Sequence, residues 1–248
     1  MGIDVVDSVE RVTVTTSRDR SVDVYKPVRV GAAARPAVLL WHGLGPNERD
    51  VMGAVAEQLA GLGIPAFAAD WQSDAKDGGQ ADLLGSLEFV RKNAAEYGGD
   101  GRLVTAGWSA GAGPAVSMAF RPDLVDGWRP LAVVGLAGRY DLVARSSGTP
   151  PVEELAVTTA SPVPVWLSHG TADDVLDWRE SQRFAGAVLD RGWPVHWEPV
   201  DTDHAGILGM EYDVAAQRCV PSWSEGAQRG LRAAVRLVES AVRGGEAL

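Results

Sequence analysis

Cysteine is nearly absent from this sequence, and basic residues are outnumbered. The single Cys219 excludes an intramolecular disulfide and fits a reducing compartment. Lys and Arg total 23 against 33 Asp and Glu, which gives a formal charge of −10, and the basic residues form no cluster. Because binders of nucleic acid or anionic membranes normally carry a basic face, we expect neither partner.

Long apolar runs are also missing. No segment is long enough to span a bilayer, and charges interrupt the first residues, "MGIDVVDSVERVTV", where a signal peptide would need its apolar region. The sequence shows no internal repeat, low-complexity tract or linker. We therefore expect a cytoplasmic protein with a single domain over residues 1–248.

Buried strands and amphipathic helices alternate along the rest of the chain. "ERVTVTTS" and "SVDVYKPV" alternate apolar and polar residues, as in an antiparallel hairpin. Continuous apolar runs typical of strands buried on both faces follow: "PAVLLWHG", "PAFAADW", "RLVTAGW", "LAVVGLAG", "VPVWLSHG" and "VHWEPV". Segments with helical spacing separate most of them. This order predicts an α/β fold, a parallel sheet with helices on both faces, entered through an antiparallel N-terminal hairpin.

The pentapeptide "GWSAG" lies between a predicted strand and a predicted helix. Gly107, Ser109 and Gly111 fit the pattern G-x-S-x-G, in which a serine sits on a strained turn that leaves no room for side chains two residues away. The same residues would also suit a tight bend without chemistry. Pro114 follows closely and predicts an irregular start to the next helix.

A serine nucleophile needs a base and an orienting carboxylate. Of the four histidines, only His204, in "DTDHAGIL", lies in a loop just beyond the carboxyl end of a strand. We expect it to be the base, the alternative being an exposed loop histidine. Its position makes proton transfer to and from Ser109 the predicted role.

The carboxylate is expected in "SHGTADDVLDW", after the preceding strand. Asp173 is favoured because it follows His169 by four residues, close to the strand end, and Asp174 is the near alternative. A helix-capping role suits Asp174 or Asp177 better. The resulting order of serine, acid and histidine is that of α/β-hydrolases.

Backbone donors and tryptophans complete the predicted site. The N–H groups of Ala110 and Leu44 are expected to form the oxyanion hole, with His42 bracing the loop of Leu44. Three of the nine tryptophans fall near the reacting end of the sheet and could form an aromatic wall of the substrate pocket, although ordinary packing is the alternative for each: Trp71, Trp108 and Trp178.

From about residue 36 to 208 the chain resembles the α/β-hydrolase family, and within it small carboxylesterases of the feruloyl/acetyl-xylan esterase, dienelactone hydrolase and hormone-sensitive-lipase-like groups. The resemblance rests on "WHG", "YGGDGRLVTAGWSAGAG", "LAGRYDL", "SPVPVWLSHGTADDVL", "SQRFAGAVLDRGWPV" and "DHAG". It implies an eight-stranded sheet and ester hydrolysis without a cofactor. Its Ser/Asp/His triad maps onto Ser109, Asp173 and His204.

The sequence departs from these esterases in three places. The HGGG oxyanion loop is replaced by "HGLGPNERD", which argues against tertiary-alcohol and long-lipid substrates. Asp203 stands before the base in place of glycine, where it would either act on His204 or face solvent. The segment "RYDLVARSSGTPPVEELAVTTASP" is too short for a large lid.

These features predict a serine carboxylesterase-type hydrolase acting on small or medium soluble ester substrates. A biosynthetic acyltransferase or cyclase, or a lactone-processing enzyme, would use the same triad. A peptidase and a non-catalytic binding protein are weaker alternatives. We expect no metal site, because the histidines are scattered. The sequence leaves the oligomeric state open, a homodimer included.

Overall fold

An eight-stranded sheet forms the centre of the chain in the computed structural model, which describes residues 8–28 and 33–244. The expectation on a signal peptide concerns a segment that falls partly on residues 1–7, outside these ranges. The sheet strands are β1 (Ser8–Thr15), β2 (Ser21–Val28), β3 (Arg35–Trp41), β4 (Ala66–Ala69), β5 (Gly99–Trp108), β6 (Ala132–Leu136), β7 (Val165–Gly170) and β8 (Val195–Val200).

The strand order is β1-β2-β4-β3-β5-β6-β7-β8. β2 pairs antiparallel with both β1 and β4, and all the other pairs are parallel. The mostly parallel eight-stranded sheet and its antiparallel N-terminal hairpin are therefore confirmed. Parallel pairing places the ends of β3, β5 and β7 at one edge, where loops can meet.

Helices cover both faces of the sheet. They are α1 (Gly53–Gly61), α2 (Gln80–Asn93), α3 (Ala112–Phe120), α4 (Pro151–Val157), α5 (Trp178–Asp190) and α6 (Glu225–Gly244). In β3, Val38 and Leu40 belong to the apolar cluster that includes α1 and α6, whereas Leu39 and Trp41 belong to the cluster that includes α2. The alternation explains the continuous apolar run of β3, because each face has its own helical layer.

Three details differ from or refine the sequence expectations. A second antiparallel hairpin, β9 (Met210–Asp213) and β10 (Arg218–Pro221), follows β8 and was not predicted. α3 begins at Ala112 after a single 3₁₀ turn, so Pro114 lies in its first turn, where its missing N–H costs no hydrogen bond. Between β6 and β7 the only helix is the short α4, which leaves no large lid.

Of the helices in the described ranges, none combines the length and apolar character needed to cross a membrane.

Candidate active site

Ser109 sits on a strained turn between β5 and α3. Its φ is +53°, a left-handed conformation that is uncommon for serine. A Cβ on Gly107 would lie 2.0 Å from the carbonyl oxygen of Gly111, and one on Gly111 would lie 2.4 Å from that of His42. The turn thus excludes side chains at both glycines, and this is the physical reason for the G-x-S-x-G spacing.

Three residues from separate strand ends meet at this turn. Nε2 of His204 lies 2.9 Å from Ser109 Oγ, and Nδ1 of His204 lies 2.7 Å from Asp173 Oδ2. The Asp173 side chain is fully buried and that of His204 is 10% exposed. The predicted serine, acid and histidine therefore form one continuous hydrogen-bonded chain.

Asp173 is held by other partners in addition to His204. Oδ1 accepts the N–H groups of Val175 and Leu176 at 2.9 and 2.8 Å. Burial acts to raise the pKa of Asp173, but the hydrogen bonds from His169, His204 and the backbone outweigh it and hold that pKa well below its usual range. The carboxylate is thus kept ionised, as an orienting group must be.

The neighbouring carboxylates have other roles. Asp174 is exposed and makes no contact with His204 among the hydrogen bonds of the described chain. Asp177 is the N-cap of α5, because its Oδ1 accepts the N–H of Arg179 at 3.0 Å. Of the three aspartates left open by the sequence, the structure brings only Asp173 to His204.

Sequence reasoning missed a second histidine behind the carboxylate. His169 is fully buried, and its Nε2 lies 2.9 Å from Asp173 Oδ2, the same oxygen that contacts His204. Its Nδ1 lies 2.7 Å from Ser181 Oγ on α5. The signal was present in the sequence, since His169 precedes Asp173 by four residues at the end of β7.

The loop after β3 lies beside Ser109. Leu44 and Ala110 line the same cavity as Ser109, and the Leu44 carbonyl accepts a hydrogen bond from Ser73 Oγ. Within the described residues the Leu44 N–H has no acceptor. Ala110 lies in the first turn after β5, where N–H groups lack helical partners. Both predicted oxyanion donors are therefore next to the nucleophile.

His42 braces this loop from inside. Its Nδ1 lies 3.1 Å from the Gly43 carbonyl oxygen, and its Nε2 accepts the N–H of Trp71 at 3.2 Å. Burial lowers the pKa of His42 to about 4, so the ring is neutral near pH 7. Nδ1 therefore carries the hydrogen atom and donates a hydrogen bond to the Gly43 carbonyl.

The three tryptophans do not form the expected aromatic wall. Trp71 is fully buried and stacks on His42 with the ring centroids 5.4 Å apart. Trp108 is buried too, with its centroid 5.0 Å from that of His204, and its Nε1 donates to the His204 carbonyl at 2.9 Å. Trp178 begins α5, with the Arg179 guanidinium over its ring. Trp71 and Trp108 support the site from behind, and none of the three lines the cavity.

The cavity that contains Ser109 is aliphatic. It measures about 870 Å³, and no aromatic side chain from the described ranges lines it. Its larger apolar side chains are Leu44, Leu142, Val143, Val175 and Leu176. Four of these five are more than half exposed, all except Leu176. The wall of the cavity is therefore aliphatic, where the sequence predicted an aromatic one.

Asp203 forms a hydrogen bond with the backbone of its own turn. It is exposed, and its Oδ1 accepts the N–H of Gly206 at 2.6 Å, which closes the turn after His204. Of the two roles left open for Asp203, the structure shows the solvent-facing one, with a capping bond in addition. In residues 8–28 and 33–244, no group of three His, Cys, Asp or Glu side chains is arranged to hold a metal ion.

Comparison with known proteins gives similarity in structure alone. No family model and no curated protein matches the sequence. The chain superposes on esterase 2 of the Planctomycetes species Thermogutta terrifontis with propionate bound, with a TM-score of 0.71, 20% identity and coverage of 96% of this chain and 95% of that one. The same esterase phosphorylated by paraoxon gives 0.70, 22%, 94% and 95%.

A truncated carbohydrate esterase from gut microbiota is also similar, with a TM-score of 0.66, 16% identity and coverage of 97% of this chain and 98% of that one. These matches extend over nearly the whole of each chain. Together with the strand order described above, they show that the chain has the α/β-hydrolase fold.

Proposed function

We propose that this protein is a serine hydrolase that cleaves carboxylic esters through an acyl-enzyme. Ser109 attacks the ester carbonyl while His204 takes the hydroxyl proton, and His204 then returns the proton to the leaving alcohol. Asp173 orients His204 and stabilises its positive charge. Water, activated by His204, releases the acid and restores Ser109.

The negative charge on the carbonyl oxygen needs two donors. We assign this role to the N–H groups of Leu44 and Ala110, since both residues line the cavity beside Ser109. The hydrogen bond from Ser73 fixes the Leu44 carbonyl group. The hydrogen bond from His42 fixes the Gly43 carbonyl, which belongs to the same peptide group as the Leu44 N–H. The loop is thus preorganised before a substrate arrives.

The observation that carries the proposal is the hydrogen-bonded chain Ser109–His204–Asp173, with links of 2.9 and 2.7 Å, opening into a cavity. A tight turn alone would need neither a base on its hydroxyl nor a buried carboxylate behind that base. The structural neighbours described above, an esterase and a carbohydrate esterase, agree with this reaction class.

The test is covalent labelling with a small fluorophosphonate, read as intact-protein mass. We expect one adduct on the wild type and on Ser161→Ala, which removes an exposed serine outside the cavity. Ser109→Ala should give no adduct. His204→Ala should react at least about 10³-fold more slowly than the wild type, because the hydroxyl loses its base.

Hydrolysis of short p-nitrophenyl alkanoates should follow the same order among these variants. An unlabelled wild type, with circular dichroism showing a folded chain, would remove the proposal. Labelling without ester turnover, but with acyl transfer to an added amine or alcohol, would replace hydrolysis by transfer chemistry.

A further inference from the structure

The charged groups of the cavity differ in how fully they are paired. Three charged side chains line it: Asp77, Arg139 and Arg145. The two oxygens of Asp77 accept the N–H groups of Gly79 and Ala81 at 3.1 and 2.9 Å, at the start of α2. Of these three charged groups, the Asp77 carboxylate is therefore already bound by backbone N–H groups.

Arg139 already has a carboxylate partner. Its Nε donates to Asp141 Oδ1 at 2.7 Å, and its Nη2 donates to the other oxygen of the same carboxylate. This bidentate pair neutralises the guanidinium and fixes its plane.

Arg145 has no such partner. Its only hydrogen bond in the described chain is from Nη1 to the Ser73 carbonyl at 3.4 Å, and no carboxylate of those residues lies within ion-pair distance. A guanidinium carries several N–H donors in a planar fork. Most of the donors of Arg145 are therefore unused at the wall of the cavity.

The loop that carries Arg145 is nevertheless held in place by its neighbours. Its side chain crosses Gly78, where an added Cβ would lie 2.8 Å from Nη1, so glycine makes the approach possible. The next residue, Ser146, is fully buried, and its carbonyl accepts from Gln80 Nε2 at 2.9 Å. On the other side, Ala144 is buried and its N–H bonds the Thr149 carbonyl at 3.1 Å. The guanidinium is thus presented by an anchored loop.

The surroundings of Arg145 define what it could bind. Leu142 and Val143 of the same loop, and Val175 and Leu176 beside Asp173, give the cavity an aliphatic wall. A ligand that matches both features has an apolar chain and one negative group. An ionised carboxylate fits better than a phosphate monoester, because one guanidinium balances one charge and a phosphate monoester carries between about 1.5 and 2.

We propose that Arg145 binds a free carboxylate on the ester substrate, so that the preferred substrates are monoesters of aliphatic dicarboxylic acids or esters of comparable charge. This inference rests on the proposed ester hydrolysis and adds a substrate class to it. The protein has a net charge of −10, which disfavours anions at long range, so any preference for an anionic ester requires a local cation.

The experiment compares two series of p-nitrophenyl esters, from glutarate to sebacate, after subtraction of spontaneous hydrolysis. One series carries the free carboxylate and the other carries its neutral methyl ester. The readout is the ratio of kcat/KM for the charged and the neutral ester at each chain length. Charge-assisted hydrogen bonds predict a wild-type ratio of about 10 to 100 at the best length, falling as salt is raised.

Arg145→Gln should lower this ratio to about one or below, since only the long-range repulsion remains. Arg236→Gln, which removes an exposed charge on α6, should keep the wild-type ratio. A wild-type ratio near one at every length, or a high ratio that survives Arg145→Gln, would overturn the assignment while leaving ester hydrolysis intact. If the wild type hydrolyses neither series, the proposed function itself fails and this inference falls with it.

Discussion

The ends of β3 and β7 look alike in sequence and differ in the folded protein. A His-Gly pair directly follows β3 and another ends β7, and His42 and His169 are both fully buried. The hydrogen bonds of His42 are to backbone groups only, donating to the Gly43 carbonyl and accepting from the Trp71 N–H. His169 faces two side chains, Asp173 and Ser181.

The difference shows that the partner, and not the motif, decides the role of a buried imidazole. A neutral ring between a carbonyl and an N–H is locked in one tautomer and can only brace a loop. A ring between a carboxylate and a hydroxyl influences the charge of the carboxylate, and here the carboxylate also holds His204. We therefore expect His42 to contribute mainly to stability and His169 to contribute, through Asp173, to the chemistry.

The largest effect should come from removing the charge of Asp173, which contacts both His169 and His204. Asp173→Asn should lower kcat/KM for a short ester by about 10⁴-fold, because the amide stabilises neither the required tautomer of His204 nor its positive charge. Steady-state kinetics of the purified variant measures this. Asp174→Asn, one residue further along and exposed, is the control and should keep most of the activity.

The β3 end should show its effect in the pH dependence of stability. Burial lowers the pKa of His42 from its ordinary 6.5 to about 4, so between these values the unfolded chain binds a proton that the folded chain does not. Stability from this group is complete above pH 6.5 and is lost as the pH falls towards 4. The loss amounts to about 3 kcal/mol.

Urea unfolding at pH 7 and pH 4.5, for the wild type and for His42→Gln, measures this loss. The variant should lose less free energy of unfolding than the wild type over the same interval, since glutamine does not titrate. Equal losses in both proteins would mean that His42 is not the group responsible. An NMR titration of the His42 ring checks the same point without a substitution.

At the β7 end, His169→Phe should lower kcat/KM by roughly 10- to 100-fold, because the buried carboxylate loses a charge-assisted hydrogen bond of about 1.5–3 kcal/mol. His169→Gln can place an amide N–H near the position of Nε2 and should recover most of the activity. Similar activity in both variants would reduce His169 to a packing residue.

Much of the fold followed from the sequence because its signals are local. Apolar runs predicted the buried strands, and the sequence resemblance implied eight of them. The G-x-S-x-G spacing predicted the turn at Ser109, whose glycines have no space for a Cβ. The position of His204 after β8 was readable for the same reason, since strand order along the chain places loop residues at one edge of a parallel sheet.

The remaining features depend on contacts between distant segments. Nothing local distinguishes Trp71, stacked on His42, from a tryptophan that faces a substrate. The hydrogen bond of His169 to Asp173 Oδ2, and the absence of an ion pair to Arg145 within the described residues, are set by the packing of α5 and of the loop before α4. The hairpin β9–β10 is short and partly polar, which leaves a weak strand signal.

The smallest predicted effect concerns Trp108, whose side chain contacts the loop after β3 and the loop that carries His204. The Trp108 ring packs on Gly43, where an added Cβ would lie 2.8 Å from it, and its Nε1 donates to the His204 carbonyl. Trp108→Phe removes that hydrogen bond, worth about 1 kcal/mol, and should lower kcat/KM by about 3- to 10-fold by loosening His204.

Trp41→Phe is the matched control, because Trp41 is also buried, on the adjacent strand, and its Nε1 donates to Ser86 Oγ at 2.9 Å. Both variants should lower Tm, but only Trp108→Phe should lower activity. An equal loss of activity in both would mean that the indole hydrogen bond acts through general stability and that Trp108 does not couple the loop after β3 to His204.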